Sequence, residues 1–344
     1  MSRAFKRRVS KTFSKIGSLF TIVFILAIIV IVLMAPNYSA FSKKYICESD
    51  KIPKQFVGYT IAHISDIANN PLRCYEVVEG NQPDIVVITG NLSDTDGNYS
   101  ESLDTVASLV NNYKVLYVLG ENDASVAKEL NDALVNLGAI NIENYKYSIE
   151  SPKISYDEFV AEFIEDKYIE QAKDASTDAY AYLQYTYKAL QEDANKNIII
   201  TGLSVMDDST DFISAGYDVI ELNHDIFQGL VFNQTEYLKQ LSQISVDFTL
   251  SGNTYGRKVA NGYSRGVYNV NGKTSFVNPG SGKISDGGFR SLINMANVYI
   301  ITLSDGTINT NNPLETFIAK FSGEKDTRFD RDQGFFEYRA KDVN

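Results

Sequence analysis

Residues 83–94 form the stretch Pro83-Asp84-Ile85-Val86-Val87-Ile88-Thr89-Gly90-Asn91-Leu92-Ser93-Asp94, in which a β-branched run passes directly into a glycine-led polar turn. An unbroken run of this kind is typical of a strand buried on both faces of a parallel sheet. The turn after such a strand lies at the carboxyl edge of the sheet, where α/β proteins place their site residues. We therefore expect Asn91 and its neighbours to lie at a functional edge.

Three other segments join an apolar run to a similar turn. They are Ile61-Ala62-His63-Ile64-Ser65-Asp66-Ile67-Ala68, Leu119-Gly120-Glu121-Asn122-Asp123 and Leu250-Ser251-Gly252-Asn253-Thr254-Tyr255-Gly256. Around the first three turns the pattern predicts strands at 57–64, 84–89 and 115–119 and helices at 73–80, 101–112 and 125–137. This β-α-β-α-β order implies parallel strands with right-handed crossovers, whose carboxyl ends meet at one edge.

Residues 152–195 interrupt the alternation with an acidic, Tyr-rich sequence of helix-forming residues that contains no glycine. We predict a helical insertion there, either a cap that packs its aromatic face on the domain or an arm that binds a protein partner. Strands then return, and Asn271-Gly272 favours a hairpin turn. They are predicted at 198–202, 229–232, 247–250, 266–270, 274–277 and 298–303. The charged tail, 311–344, is predicted to be a peripheral helix or disordered.

The N-terminal region predicts a membrane anchor. Residues 16–35 contain no charged residue, and as a helix they would span roughly 30 Å of hydrocarbon. Residues 1–15 carry only basic charges, which keep this segment cytoplasmic and place the rest of a single-pass protein outside the cell membrane. Residues 36–55 then form a polar linker. The alternative is a cleaved signal peptide, since small residues follow at Ser39 and Ala40.

The charge balance excludes one class of partner. The chain of 344 residues has a formal net charge of −11, and because every charge in residues 1–15 is positive, the remainder is more acidic still. Such a surface excludes nucleic acid as a bulk partner. The two cysteines, Cys47 and Cys74, would lie outside the cytoplasm, where a disulfide and a pair of buried thiols are both open alternatives.

The four turns, in this order and spacing, resemble the motifs of the calcineurin-like metallophosphoesterase family, and specifically its membrane-anchored bacterial branch. The family motifs are SDxH, GDxxD, GNH followed by an acid, and GHTHGG, with a metal-binding His at the end of a strand between the last two. The matching positions are Asp66 and Ala68, Asn91, Glu121 and Asn122, Asn233, and Asn253 and Tyr255. Residues 277–290 resemble the family's Gly-rich loop, which ends in an arginine at Arg290.

The resemblance implies an α/β fold, a four-layer α-β-β-α sandwich with two mixed sheets, over residues 56–310 with the insertion 152–195. It also implies a site in which His nitrogens and carboxylates hold two divalent metals, with one carboxylate bridging both ions. In the family, a metal-bound hydroxide attacks phosphorus, and the His of GNH protonates or orients the leaving group.

The matched positions depart from that donor set. Asp66 is the one unchanged ligand, whereas Ala68 offers no donor atom. Asn91 places a neutral amide at the bridging position, between cations that repel each other. Glu121 keeps an oxygen donor, but Asn122 cannot exchange protons near neutral pH as the catalytic His does.

The remaining positions do not compensate. Asn233 and Asn253 stand in place of imidazoles, and Tyr255 is a poor ligand for Mn or Zn at neutral pH. Of the two histidines, His63 is expected to point into the sheet and His224 lies in a polar loop. We therefore predict that no catalytic residues and no two-metal Mn, Fe or Zn centre of the family type are present.

The replacements are mostly oxygen-bearing, which predicts a polar ligand-binding pocket. Its predicted residues are Asp66, Asn91, Glu121, Asn233, Asn253 and Arg290. Either the amides bond to one another and to loop backbone, or Asp66 and Glu121 weakly hold a single Ca²⁺ or Mg²⁺. Arg290 is expected to pair an anion in the pocket or to neutralise Asp66.

Three functions follow from the sequence. The first is a membrane-anchored protein that has lost hydrolase activity and uses the pocket or the insertion for binding or scaffolding. The second is a phosphoric ester hydrolase with an altered single-metal site around Asp66 and Glu121, acting on phosphate esters near the membrane. The third is a domain that only stabilises a larger membrane assembly through its anchor.

Overall fold

A computed structural model of the chain describes residues 18, 20–29, 40–68, 72–151, 181, 183–185, 187–188, 196–204, 220, 225–255, 262–282, 296–306 and 341–342. The predictions for His224 and Arg290, and most of those for 152–195 and 311–344, lie outside these residues.

The strands, in chain order, are β1 (Ala40–Glu48), β2 (Thr60–Ile64), β3 (Ile85–Thr89), β4 (Lys114–Val118), β5 (Ile140–Asn141), β6 (Lys146–Ile149), β7 (Ile198–Gly202), β8 (Gln228–Gln234), β9 (Phe248–Gly252), β10 (Gly266–Val270), β11 (Lys273–Val277), β12 (Ala296–Ser304) and β13 (Lys341–Asp342). The α-helices that follow β1 are α1 (Leu72–Asn81), α2 (Ser100–Val110), α3 (Ala127–Leu137) and α4 (Leu238–Leu241).

The first sheet has the strand order β1-β12-β2-β3-β4-β5. Strands β2 to β5 are parallel neighbours, as the alternation of strands and helices predicts, and α1, α2 and α3 lie between them in the chain. The carboxyl ends of β2, β3 and β4 therefore lie at the same edge of the sheet, and the site turns follow them directly.

The second sheet has the order β13-β10-β11-β9-β8-β7-β6. It is mixed, with antiparallel pairs at β6–β7 and β10–β11 and parallel pairs elsewhere. Asn271 and Gly272 have φ of 52° and 79° and join β10 to β11. Two positive φ values are those of a type I′ turn, so the predicted hairpin is confirmed.

The two sheets pack face to face around a core that includes Ile61, Val87, Phe248, Leu250 and Phe276. The opposite face of the first sheet packs on α1, α2 and α3, and the outer face of the second sheet packs on α4. The described chain is thus a mixed α/β structure with two mixed sheets and flanking helices, as predicted.

Strand β1 corrects the predicted polar linker, 36–55. It pairs in parallel with β12 along its whole length and forms an edge of the first sheet. Tyr45 and Cys47 at its C-terminal end are buried, whereas Phe41 and Lys44 are exposed. An edge strand buried at one end lacks the continuous apolar pattern of a central strand, so the sequence does not reveal it. Residues 40–48 of the predicted linker therefore form a strand of the first sheet.

Within the residues that the structure describes, no helix is long and apolar enough to span a membrane. Of the predicted anchor 16–35, that part of the chain includes only residues 18 and 20–29, which are helical.

Cys47 and Cys74 are buried, unpaired thiols. Cys47 lies in the core between the two sheets, and Cys74 lies on the face of the first sheet that α1, α2 and α3 cover. The first sheet separates them, which decides between the two alternatives left open by the sequence.

Candidate active site

The turns that follow β2, β3, β4 and β9 meet at one edge. The backbone N–H of Asp66 donates to the carbonyl of Gly90 at 3.0 Å. The N–H of Asn253 donates to Asp66 Oδ2 at 3.1 Å, and the N–H of Asn122 donates to Asn91 Oδ1 at 3.1 Å. Each turn therefore contacts at least one of the others, at the edge where the strand pattern placed them.

The side-chain nitrogen of Asn91 lies at the centre of this edge. Asn91 Nδ2 is 2.7 Å from Asp66 Oδ1, 3.0 Å from Asn253 Oδ1 and 3.1 Å from the Tyr255 hydroxyl. The shortest of these distances is to the carboxylate, as expected for a charge-assisted hydrogen bond. One buried amide thus joins three side chains from the turns after β2 and β9.

The backbone fixes which atom of Asn91 faces Asp66. The N–H of Asn122 can only donate, so its acceptor on Asn91 must be the amide oxygen. The amide nitrogen therefore faces the carboxylate, since the opposite orientation would place oxygen against oxygen.

Asp66 is a nearly fully buried carboxyl, with 4 % of its surface exposed. Its Oδ1 accepts from Asn91 Nδ2 and its Oδ2 accepts from the N–H of Asn253. Burial raises the pKa of Asp66 to about 7, and the hydrogen bond from Asn91 opposes this rise. Asp66 therefore gains or loses its proton near neutral pH.

This titration predicts a pH dependence of stability. The folded protein keeps the Asp66 proton up to about pH 7, whereas the unfolded chain loses it near the ordinary pKa of 3.8. The contribution of Asp66 to stability is therefore complete below the pKa of its carboxyl in the unfolded chain. It is lost as the pH rises through the pKa of the same carboxyl in the folded protein. From pH 5 to pH 7, we expect the free energy of unfolding of the wild type relative to Asp66→Asn to fall by about 2 kcal/mol in urea titrations. A constant difference across this range would contradict the assignment.

Glu121 and Asn122 begin the turn after β4 and contact the turn after β9. Glu121 Oε2 accepts from Asn253 Nδ2 at 3.0 Å, and Asn122 Nδ2 donates to the Tyr255 hydroxyl at 2.8 Å. Burial and, after it, the charge of Asp66 raise the pKa of Tyr255. The phenol therefore stays protonated at neutral pH.

Asn233 reaches the site through a β-bulge in β8, where the pairing with β9 shifts register between Val231 and Gln234. A bulge changes the direction of the side chains that follow it. Asn233 Nδ2 donates to the carbonyl of Thr89 at 2.6 Å, and Oδ1 accepts from the N–H of Glu121 at 3.2 Å. This amide joins the end of β3 to the turn after β4, at a position where the resemblance implies an imidazole.

Asp123 supports the site, although the sequence interpretation did not select it. Its buried Oδ1 accepts from the N–H of Ser93 at 2.6 Å and from Ser93 Oγ at 2.8 Å. Oδ2 accepts from the N–H of Gly120 at 2.8 Å. The acid directly after Asn122 in the third motif was the signal that could have identified it.

His63 has the structural position that its sequence context predicts. The ring is buried, Nε2 lies 3.0 Å from Thr89 Oγ1, and the ring is nearly perpendicular to that of Tyr299, at a centroid distance of 6.0 Å. Burial lowers the pKa of His63 to about 3, so the imidazole stays neutral. It packs inside the sheet core.

Four site residues adopt left-handed backbone conformations. The φ angles are 52° at Asp66, 56° at Asn91, 56° at Asn253 and 47° at Tyr255. Positive φ is uncommon outside glycine, and a bulky residue such as Tyr is an outlier there. Strain of this kind persists only where the surroundings impose it, and it clusters at functional sites.

A comparison of the sequence with models of known families found a match, over the part of the chain that contains the first three site turns. Residues 59–209 match the model of the calcineurin-like phosphoesterase family. The chain thus contains a calcineurin-like phosphoesterase domain, and the match includes the turns after β2, β3 and β4. No match was found among the curated proteins with which the sequence was compared.

A two-metal centre does not fit the side chains of this phosphoesterase domain. Among the residues with described positions, no three His, Cys, Asp or Glu side chains are placed to hold a metal ion. Asp66 accepts N–H hydrogen bonds on both oxygens. Asn233 and Asn253 supply amides where Mn or Zn would require imidazole nitrogen. The donor set therefore disagrees with the metals that the fold family implies.

Proposed function

We propose that the chain is a membrane-anchored protein whose phosphoesterase domain lies outside the cytoplasm, has lost hydrolase activity and serves as a binding or scaffolding domain. One observation carries this proposal. Asn91 stands at the bridging position, and its amide nitrogen donates to Asp66 at 2.7 Å. A nitrogen that donates a hydrogen bond to a ligand carboxylate presents a proton there and no lone pair, so it cannot bridge two cations.

The surrounding groups support the loss of acid–base chemistry. The Asn122 amide does not gain or lose a proton near neutral pH, so it cannot act as a general acid or base, and the pKa of its partner Tyr255 is raised. Asp66 titrates in a useful range, but both of its oxygens accept from N–H groups within the site. A general base must reach the proton that it abstracts, and neither oxygen of Asp66 is free of a donor.

The membrane anchor in this proposal has its support at the N-terminus. Residues 20–29 are helical, uncharged and exposed, with Phe20 at 71 % and Phe24 at 65 % exposure. Large apolar side chains exposed around a helix are expected where lipid covers them. The basic residues of 1–15 then favour a cytoplasmic N-terminus.

The binding surface in this proposal is the acidic, Tyr-rich segment 152–195 or the pocket at the strand edge. A protein partner suits the segment because aromatic residues are enriched at interfaces. Arg290 would supply the charge for an anion in the pocket. The acidic composition of the chain argues against nucleic acid.

A phosphoesterase with a single metal ion is the weaker alternative. Asp66 and Glu121 are the two carboxylates on which a Ca²⁺ or Mg²⁺ ion would depend, and Asn253 lies between them. Its N–H donates to Asp66 at 3.1 Å, and its Nδ2 donates to Glu121 at 3.0 Å. Hydrogen-bond donors of Asn253 therefore lie between the two carboxylates, where a shared ion would have to bind.

Hydrolase assays test the proposal. The purified full chain in detergent, with Mn²⁺, Mg²⁺ or Ca²⁺, is expected to release no p-nitrophenol above buffer from p-nitrophenyl phosphate or its bis ester. The Asp66→Ala variant, prepared in parallel, controls for a contaminating phosphatase. Turnover by the wild type that Asp66→Ala abolishes would overturn the loss of activity and favour the single-metal alternative.

A further inference from the structure

We propose that the Asn91 carboxamide substitutes for the metal ions within the fold, so that it holds the four site turns together and makes the stability of the domain independent of divalent cations. This inference deepens the proposed function, and it rests on the same site. It concerns the stability of the domain, so it is tested separately from hydrolysis.

The positions that correspond to metal ligands surround one atom, Asn91 Nδ2. The residues at 66, 253 and 255 stand where the resemblance implies metal ligands. Their oxygens, Asp66 Oδ1, Asn253 Oδ1 and the Tyr255 hydroxyl, all lie within 3.1 Å of Asn91 Nδ2. Oxygens that would surround a cation thus surround a nitrogen with two protons.

The Asn91 carboxamide forms hydrogen bonds to several turns. Nδ2 contacts the turns after β2 and β9, Asn91 itself belongs to the turn after β3, and Oδ1 accepts from Asn122 in the turn after β4. One side chain therefore connects all four turns. Separating the turns would leave these buried donors and acceptors without partners, at a cost of about 1–3 kcal/mol each.

The position of Asn91 Nδ2 beside Asp66 conflicts with a cation bound there. A divalent ion on Asp66 Oδ1 would lie about 2.0–2.6 Å from that oxygen. Asn91 Nδ2 lies 2.7 Å from the same oxygen and directs its protons towards it. An ion among the oxygens of Asp66, Asn253 and Tyr255 would overlap Asn91 Nδ2 unless the Asn91 side chain rotated, which would also break its hydrogen bond to Asn122.

The site turns also contain backbone strain. Asp66, Asn91, Asn253 and Tyr255 keep positive φ values, and such conformations relax unless contacts impose them. The carboxamide contacts the side chain of each of the other three. It is therefore the group best placed to maintain all four.

The test uses the full-length protein in detergent and follows thermal unfolding by far-UV circular dichroism, with EDTA or with millimolar Ca²⁺, Mg²⁺ or Mn²⁺. The wild type is expected to show the same Tm in all conditions, because the Asn91 amide nitrogen lies where an ion bound by the four site turns would have to lie. Asn91→Asp preserves size and tolerates a left-handed backbone, but it sets two carboxylates against each other. We expect its Tm in EDTA to be lower by roughly 5–10 °C, and divalent cations to restore most of the loss.

Asn144→Asp is the matched control. Asn144 is exposed, also has a positive φ of 58°, and uses its Oδ1 to accept from the N–H of Ser204, which an Asp would also do. Its Tm should stay near that of the wild type and should not respond to cations.

A wild-type Tm that rises with any of the ions would overturn the inference, whether or not Asn91→Asp folds. An Asn91→Asp protein as stable in EDTA as Asn144→Asp, or one that cations fail to restore, would overturn it as well. Hydrolysis by a wild type with a cation-independent Tm would defeat the proposed function alone, so the two failures are distinguishable.

Discussion

A chain that begins at residue 56 is expected not to fold, whereas a chain that begins at residue 40 is expected to unfold cooperatively. The difference is the segment that contains β1. This strand pairs with β12 from Ala40 to Glu48 and covers the edge of the first sheet. Its removal would expose β12 as a new edge, and an exposed apolar edge strand promotes aggregation.

The buried residues of this segment make the loss large. Tyr45 packs on Tyr299 at a ring-centroid distance of 4.7 Å and on Phe276 at 6.0 Å, so it contacts both sheets. Cys47 and Ile52 belong to the same core. Burying a large apolar side chain contributes about 1.5–3 kcal/mol, and a domain has only about 5–15 kcal/mol in total. The loss of three buried side chains and one strand ladder thus approaches the whole stability.

Circular dichroism melting and size-exclusion chromatography of the two purified chains would measure this difference. The chain from residue 40 is the control for removal of the N-terminal segment as such. A chain from residue 56 that is monomeric and melts at the same temperature as its control would show that β1 is dispensable.

The contrast between β1 and β3 shows what the sequence could predict. Ile85–Thr89 is buried on both faces, so its continuous β-branched run predicts both the strand and the turn that carries Asn91. The parallel order then predicts the common edge. Ala40–Glu48 has only one partner strand and an exposed N-terminal half. Its pairing with β12, far along the chain, leaves no local pattern.

The site shows the same division between local and long-range information. The sequence predicts that the positions 66, 91, 121, 122, 233, 253 and 255 lack a metal donor set, because donor chemistry follows from residue type. It could not predict that Asn91 Nδ2 would face Asp66, since that orientation depends on the backbone of Asn122. The bulge that directs Asn233 towards Thr89 depends on the register of two strands. Neither is a property of a single segment.

Gly120→Ala is expected to destabilise the domain by about 3 kcal/mol or more. A Cβ atom at Gly120 would lie 2.3 Å from Asn91 Oδ1, 2.4 Å from the Asn91 backbone nitrogen and 2.8 Å from Asn233 Nδ2. Gly120 has φ of −114° and ψ of 179°, values that alanine adopts freely. The cost is therefore steric crowding between the turns after β3 and β4, without a backbone contribution.

The crowded atoms cannot easily move aside. Asn91 Oδ1 accepts from the N–H of Asn122, and Asn233 Nδ2 donates to the carbonyl of Thr89. The N–H of Gly120 is itself bonded to the buried Asp123 carboxylate. Relief of the clash would separate these partners and leave buried polar groups without hydrogen bonds, at about 1–3 kcal/mol each.

Urea denaturation of Gly120→Ala beside Gly80→Ala measures the effect against a matched control. Gly80 lies in α1 and is exposed, and a Cβ atom added there would meet no atom within 4 Å. Alanine favours a helix over glycine by about 0.8–1.0 kcal/mol, so Gly80→Ala should raise the midpoint. Gly120→Ala should lower it, because the same methyl group meets the Asn91 carboxamide and its partners. A Gly120→Ala protein within about 0.5 kcal/mol of the wild type, the usual range for uncrowded surface changes, would mean that the turns after β3 and β4 are not packed closely around Asn91.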